Sequence, residues 1–214
     1  MLAKTKKEAQ NYFIENLGLM SNDYMTMHLD IANMVNCEVK AIYDIFGNLN
    51  AGGHLKGFQI TTRLLPGEVA RYSSSSKEIS LRKEDVMYGT SMIKMGTDAQ
   101  KNLDIGFWST NKPEHAVRHE LGHAVWYLLT EANAAKRNKI SALRNQWLKD
   151  CGIDVWYLDR NTKEQKLTAG KLISYYALRN DKELIAESVA EYMAGNPRET
   201  AKKIVELLLK TEGV

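Results

Sequence analysis

Between Asp23 and Phe46 the apolar positions Tyr24, Met27, Ile31, Met34, Val35, Val39, Ile42 and Ile45 recur at mixed spacings of three and four. That interval turns one face of an α-helix toward a core. Lys4 to Leu17 repeats the pattern, so the chain predicts two amphipathic helices at its start, with the methionines as core filling rather than a cofactor box. Across "GNLNAGGHLKG" (Gly47 to Gly57) the pattern changes from helical to alternating, which makes this glycine-rich stretch the candidate boundary between a helical N-terminal segment, 1–50, and a second unit, 51–214. Beyond it, Phe58 to Arg63, Glu68 to Tyr72, Glu78 to Arg82 and Asp104 to Trp108 have strand character, the middle two joined by "SSSSK", and a small, mainly antiparallel sheet is expected. Asn111 to about Ala135 then reads as a helix with Pro113 in its first turn and an Asn111-x-x-Glu114 capping box. Helices at about Ile140 to Cys151, Lys182 to Ala194 and Arg198 to Lys210 complete the chain, with Gly195-Asn196-Pro197 as a stop. The class predicted is α+β.

Composition narrows the function classes. A chain of 214 residues, 44% apolar and 26% charged, is that of a folded domain with one sizeable core. Its 29 basic and 26 acidic residues nearly balance, and the short basic runs at Lys4 to Lys7 and Lys136 to Lys149 lack interleaved aromatics, so nucleic acid is not the expected partner. Cys37 and Cys151 form no CxxC pair and no disulfide framework. The basic N-terminus is followed by no apolar core of a signal peptide, and no apolar run approaches 18 residues. A cytoplasmic chain without membrane partners is expected.

Chemistry enters at "PEHAVRHELGHAVWYLL", Pro113 to Leu129. Positions four apart on a helix lie about 40° apart around the axis and about 6 Å along it, so the imidazoles of His119 and His123 can address one ion. Glu120, rotated about 100° from His119, can sit beside that ion and hold a water without being a ligand. This is the geometry of an H-E-x-x-H zinc hydrolase. The competing reading is a core helix on the stripe Val117, Leu121, Ala124, Val125 and Leu128 whose histidines are satisfied by hydrogen bonds.

A catalytic zinc needs a third protein ligand and an open position. "SYYALRNDKELIAESVAEYM" (Ser174 to Met193) supplies Glu183, Glu187 and Glu191 at four-residue steps, with the small residues Ala186 and Ala190 nearby to admit another helix. Against this, Asn180-Asp181-Lys182-Glu183 fits a capping box in which Glu183 folds back to the Asn180 backbone. Glu187 and Glu191 equally fit a solvated acidic face.

H-E-L-G-H-A-V followed downstream by Y-A-L-R-N-D-K-E-L-I-A-E resembles the gluzincin metallopeptidases, and most closely the catalytic-domain family of anthrax lethal factor. The likeness covers roughly Val69 to Met193, strongly in the two motifs and by pattern in the strands between. It implies a zincin-like domain, Zn2+ as cofactor, zinc ligands His119, His123 and Glu183, Glu120 as general base, Tyr176 as donor to the developing oxyanion, and Glu187 on the outer nitrogen of a zinc-bound histidine. The implied activity is endopeptidase cleavage of a protein or peptide by metal-activated water. Arg179 to Lys210 is similar to C-terminal tails of phage and prophage minor head proteins, which implies a phage-particle or longer-polypeptide context. It also supports the rival expectation of a non-catalytic, metal-stabilised structural or interaction module.

His115 extends the stripe of His119 and His123, but ligands eight residues apart on one helix would span about 12 Å. It is expected to be exposed or to support a ligand. His28 and His54 are expected on loops or facing solvent. A peptide substrate is expected to lie extended along an edge of the small sheet.

Overall fold

The computed structural model describes residues 2–21, 23–154, 156 and 160–210. Helix α1 (Lys6–Glu15) starts at Thr5, whose hydroxyl accepts from the Glu8 N–H at 3.2 Å and satisfies one of the helix's unpaired donors. A 3-10 turn at Tyr24–Thr26 precedes α2 (Leu29–Phe46), where Ile31, Met34, Val35, Val39 and Ile42 are buried as their spacing predicts. Gly47, at φ +91°, ends α2 in a conformation that side chains resist.

Strands β1 (Gly57–Thr61), β2 (Ala70–Ser73) and β3 (Glu78–Arg82) form one sheet in the order β1-β3-β2. α3 (Lys83–Val86), α4 (Ser91–Asp104), α5 (His115–Thr130), α6 (Ala134–Cys151), α7 (Lys163–Leu172), α8 (Asp181–Met193) and α9 (Glu199–Leu209) follow, with a 3-10 turn at Tyr176–Arg179 leading into α8. The fold is α+β, and one apolar cluster runs from Ala9 to Leu208. The first fifty residues contribute to that core: Phe13 meets Phe58 of β1 with ring centroids 5.8 Å apart, and Glu38 of α2 accepts two hydrogen bonds from the Arg118 guanidinium of α5, at 2.7 and 2.9 Å. Among the described residues no helix is long and apolar enough to cross a membrane.

The structure corrects several expectations. The sheet is mixed rather than mainly antiparallel: β2 and β3 form the expected hairpin, but β1 joins the far edge of β3 in parallel, Gly57 opposite Glu78 through Thr61 opposite Arg82. Alternation identifies which face of a strand is buried and says nothing about which neighbour it takes. Asp104 to Trp108 is not a strand; Asp104 closes α4, and Gly106 at φ +72° turns the chain. The Asn111–Glu114 capping box is not formed. Asn111 donates instead to Gln100 Oε1 at 2.8 Å, and α5 starts at His115 without a side-chain cap.

Candidate metal centre and cleft

The site is built by two helices that pack unusually closely. A Cβ added at Gly122 of α5 would lie 2.7 Å from Ala186 Cα of α8, so the absence of a side chain at one position and the small one at the other set the separation. Val117, Leu121, Ala124 and Val125 carry α5 into the core, as do Leu184, Ile185, Val189 and Ala190 for α8. The remaining faces turn His115, His119 and His123 toward Glu183 and Glu187. Asn180 caps α8 by accepting from the Glu183 N–H at 3.0 Å. The backbone half of the box read in the sequence is therefore present, while the Glu183 carboxylate points at the histidines rather than back along the chain.

Glu183 Oε2 lies 3.0 Å from His119 Nε2 and 3.4 Å from His123 Nε2. One ligand atom from each residue falls within 4.8 Å of the other two. The two imidazoles are nearly perpendicular, at 85°, with centroids 4.8 Å apart. Although these contacts are short, none is directed as a hydrogen bond, and Glu183 Oε2 is a buried acceptor without a donor. Burial raises a carboxyl group, but the flanking His119 and His123 outweigh it and hold Glu183 down at about 2. Burial likewise lowers an imidazole, yet Glu183 and then Glu187 leave His119 well above its ordinary range.

A divalent cation fits this set. His119 Nδ1 is already committed to Glu187 Oε1 at 2.8 Å, which leaves Nε2 facing a carboxylate oxygen. A cation between two imidazole nitrogens and one carboxylate oxygen gives the orphaned Oε2 its partner and requires no second proton on His119. Two imidazole nitrogens and one carboxylate oxygen are donor types that suit zinc. A second group of possible ligands, His115, His119 and Glu187, also lies within reach of one ion, but its atoms are otherwise engaged. His115 Nδ1 pairs with Thr110 Oγ1 at 3.2 Å and Nε2 with Glu187 Oε1 at 3.1 Å, while the Ser109 N–H donates to Glu187 Oε2 at 2.7 Å. This group is the frame behind His119: it fixes which imidazole nitrogen faces outward.

Glu187 has no exposed surface and Glu191 only 4%, so neither belongs to a solvated acidic face. Burial would raise the Glu187 carboxyl, but His115 and then His119 outweigh it and keep it below the usual carboxylate range. Glu191 serves the scaffold, taking Arg198 Nε and Nη2 at 2.7 Å each. His115, buried and stacked on Trp108 at 4.4 Å, meets the Glu187 carboxylate behind His119 and is not exposed. His28 accepts from the Asp30 N–H at the start of α2, and His54 sits in the turn before β1.

Glu120 Oε2 accepts the Tyr72 backbone N–H at 2.6 Å. β2 is an edge strand, so this bond anchors the carboxylate to the rim of the sheet and leaves Oε1 for the cleft. The Tyr176 ring lies 5.7 Å from that of His119 and 4.9 Å from that of Phe107. Burial first, and the Glu183 charge second, push its hydroxyl above the ordinary tyrosine range, so it stays protonated as a donor.

Two cavities of about 330 and 390 Å³ meet along β2 and share His119, Glu120 and Tyr176 in their walls. A larger one, about 600 Å³ beside Gly106 and α7, contains neither a histidine nor a carboxylate pair in its lining, so size alone does not select the site. The residues that bring the cleft together and escaped the sequence reading are Tyr72, Ser109 and Thr110. Tyr72 and Ser109 act through backbone N–H groups on carboxylates distant in sequence, and Thr110 through its hydroxyl on nearby His115; none of these contacts leaves a periodic mark. The chain matches no family model, no curated protein and no solved structure.

Proposed function

We propose that this chain is a zinc-dependent endopeptidase of the gluzincin type, with the H-E-x-x-H helix, the sheet edge beside it and the carboxylate from α8 in a zincin-like arrangement. The observation that carries the reading is the Glu183 carboxylate, buried without a hydrogen-bond donor between His119 and His123. His119, His123 and Glu183 would hold the zinc. When bound, that ion supplies acidification of a water and polarisation of a carbonyl.

The protein's own groups supply the rest. Glu120, held by Tyr72 through one oxygen, takes the proton of the attacking water on the other and returns it to the leaving amine nitrogen. The Tyr176 hydroxyl donates to the carbonyl oxygen as negative charge develops there. Glu187 accepts from His119 Nδ1, which keeps the lone pair of Nε2 directed at the cleft. A purely structural zinc needs neither a general base nor an oxyanion donor, so the presence of Glu120 and Tyr176 favours an enzyme over a metal-stabilised module of a phage head protein.

The test is elemental analysis of the purified chain beside Glu183→Ala. The reading expects about one zinc per chain, falling sharply in the variant. Wild-type protein that takes up no zinc even when supplied with it would overturn the reading.

A further inference from the structure

The two halves of the cleft differ in chemistry. On one side of Glu120 the aromatic residues Phe107, Trp108 and Tyr176 share the wall with the polar Asn102, His115 and Arg179, a mixed surface whose aromatic part suits a bulky apolar side chain. On the other side, one turn beyond His123 along α5, Tyr127 continues the stripe of the two histidines. Lys182 Nζ donates to the Tyr127 hydroxyl at 2.8 Å and lies 4.9 Å from its ring centroid. Lys77, from the β2–β3 hairpin, sits 4.5 Å from the same centroid. Two ammonium groups from separate elements thus converge on one tyrosine, whose ring also meets Tyr72 at 5.8 Å.

Two of the carboxylates nearby are engaged elsewhere. Glu183 is turned to the histidines, and Glu68 is paired with Arg71 and the Leu65 N–H. Glu131 is the remaining acid whose charge reaches Tyr127. Lys182 has two N–H donors beyond the one given to Tyr127.

We infer that the Lys182–Tyr127–Lys77 end of the cleft is a subsite for a carboxylate side chain, so that the substrate is an extended segment with Asp or Glu at this end and a bulky apolar residue at the Trp108 end, cut between them. The inference rests on the peptidase reading above. The carboxylate accepts from Lys182 Nζ and lies within the field of Lys77.

The experiment is digestion of a mixed peptide library by the zinc-loaded full chain, with cleavage sites read by mass spectrometry, for wild type, Lys182→Glu and Lys77→Glu. Wild type should cut at junctions enriched in Asp or Glu on one side and in large apolar residues on the other. Each charge reversal should move the kcat/KM ratio of acidic over basic peptides by roughly tenfold toward basic, and added salt should shrink the effect. Zinc-dependent cleavage without acidic enrichment, or a ratio that neither reversal moves, overturns the subsite and leaves the peptidase standing. No cleavage by wild type beyond that of Glu120→Gln overturns both. With two reversals on different elements, misfolding of one does not remove the test.

Discussion

The Tyr72 backbone N–H and the Glu120 carboxylate are joined at 2.6 Å, one from the sheet edge and the other from the middle of the histidine helix. This bond holds the acid in place without consuming its second oxygen. It also makes the conservative amide a clean probe, because the Oε1 of glutamine accepts from the same N–H. Glu120→Gln should therefore keep both the fold and the zinc, measured by thermal melt and metal content. Peptide turnover should fall by a factor on the order of 10²–10⁴, the range associated with a lost general base. Retained turnover would move the base elsewhere.

Glu183 and His119 set part of the pH behaviour of the metal-free protein. Glu183 falls from an ordinary 4.5 to about 2, so its contribution is present above pH 4.5 and is lost as the pH falls toward 2. A shift of that size corresponds to roughly 3 kcal/mol. His119 is raised above 6.5, so its contribution is full below 6.5 and fades as pH rises through its folded value. These are two views of one interaction and are not added. Urea unfolding between pH 7 and pH 2 should show the acid loss, and Glu183→Gln should reduce it, leaving the part that comes from buried Glu187.

On the proposed reading, zinc would replace a proton at the same nitrogen. With both ring nitrogens of His119 facing carboxylates, the metal-free imidazole holds a proton more tightly than a free one and must give it up to act as a ligand. Zinc titration calorimetry in buffers of different ionisation enthalpy should report release of about one proton per zinc. Binding without proton release would mean that His119 is neutral beforehand and that its raised affinity for protons is wrong.

The legible part of this molecule was periodic. His119, His123 and Glu183 stood out because a four-residue step places chemistry on one helical face, and α2 and α9 because their apolar stripes are broad. α4 and α7 were missed for the opposite reason: α4 buries only Ser91, Met95 and Ala99, α7 only Ala169, and each carries a glycine within its span. The sheet's mixed pairing joins backbones, and the Ser109 N–H meets the Glu187 carboxylate, across long stretches of chain, which no local spacing encodes. His115 lay between these cases. Its place on the histidine stripe was visible, but its partner was not.

Glu38 and Arg118 tie α2 to the histidine helix by a two-pronged ion pair whose side chains are about nine-tenths buried. Removing one partner of such a pair leaves a charge in a poorly solvated place, at a cost of about 3–5 kcal/mol. Glu114, 3.9 Å from Arg118, offers a partial substitute and places the expectation at the low end. Glu38→Leu should lower the urea midpoint accordingly, and Glu38→Leu combined with Arg118→Met should recover part of the loss, because apolar groups of similar volume can replace a buried pair.

Gly122 tests whether the separation of α5 and α8 is what brings the three proposed ligands together. In the interior of an open helix, alanine is more favourable than glycine by about 1 kcal/mol, so Gly122→Ala would stabilise the chain if the facing helix stood off. Here the new methyl would lie 2.7 Å from Ala186 Cα and 3.1 Å from its carbonyl oxygen, against backbone that cannot rotate away. Overpacking of this kind costs about 1–3 kcal/mol, and relief requires α8 to move outward, carrying Glu183 from His119 and His123. The variant should melt below wild type and bind zinc more weakly in competition with a chelator, although residue 122 is not itself a ligand. A higher melting temperature with unchanged zinc affinity would show that the helices are not in contact at this point.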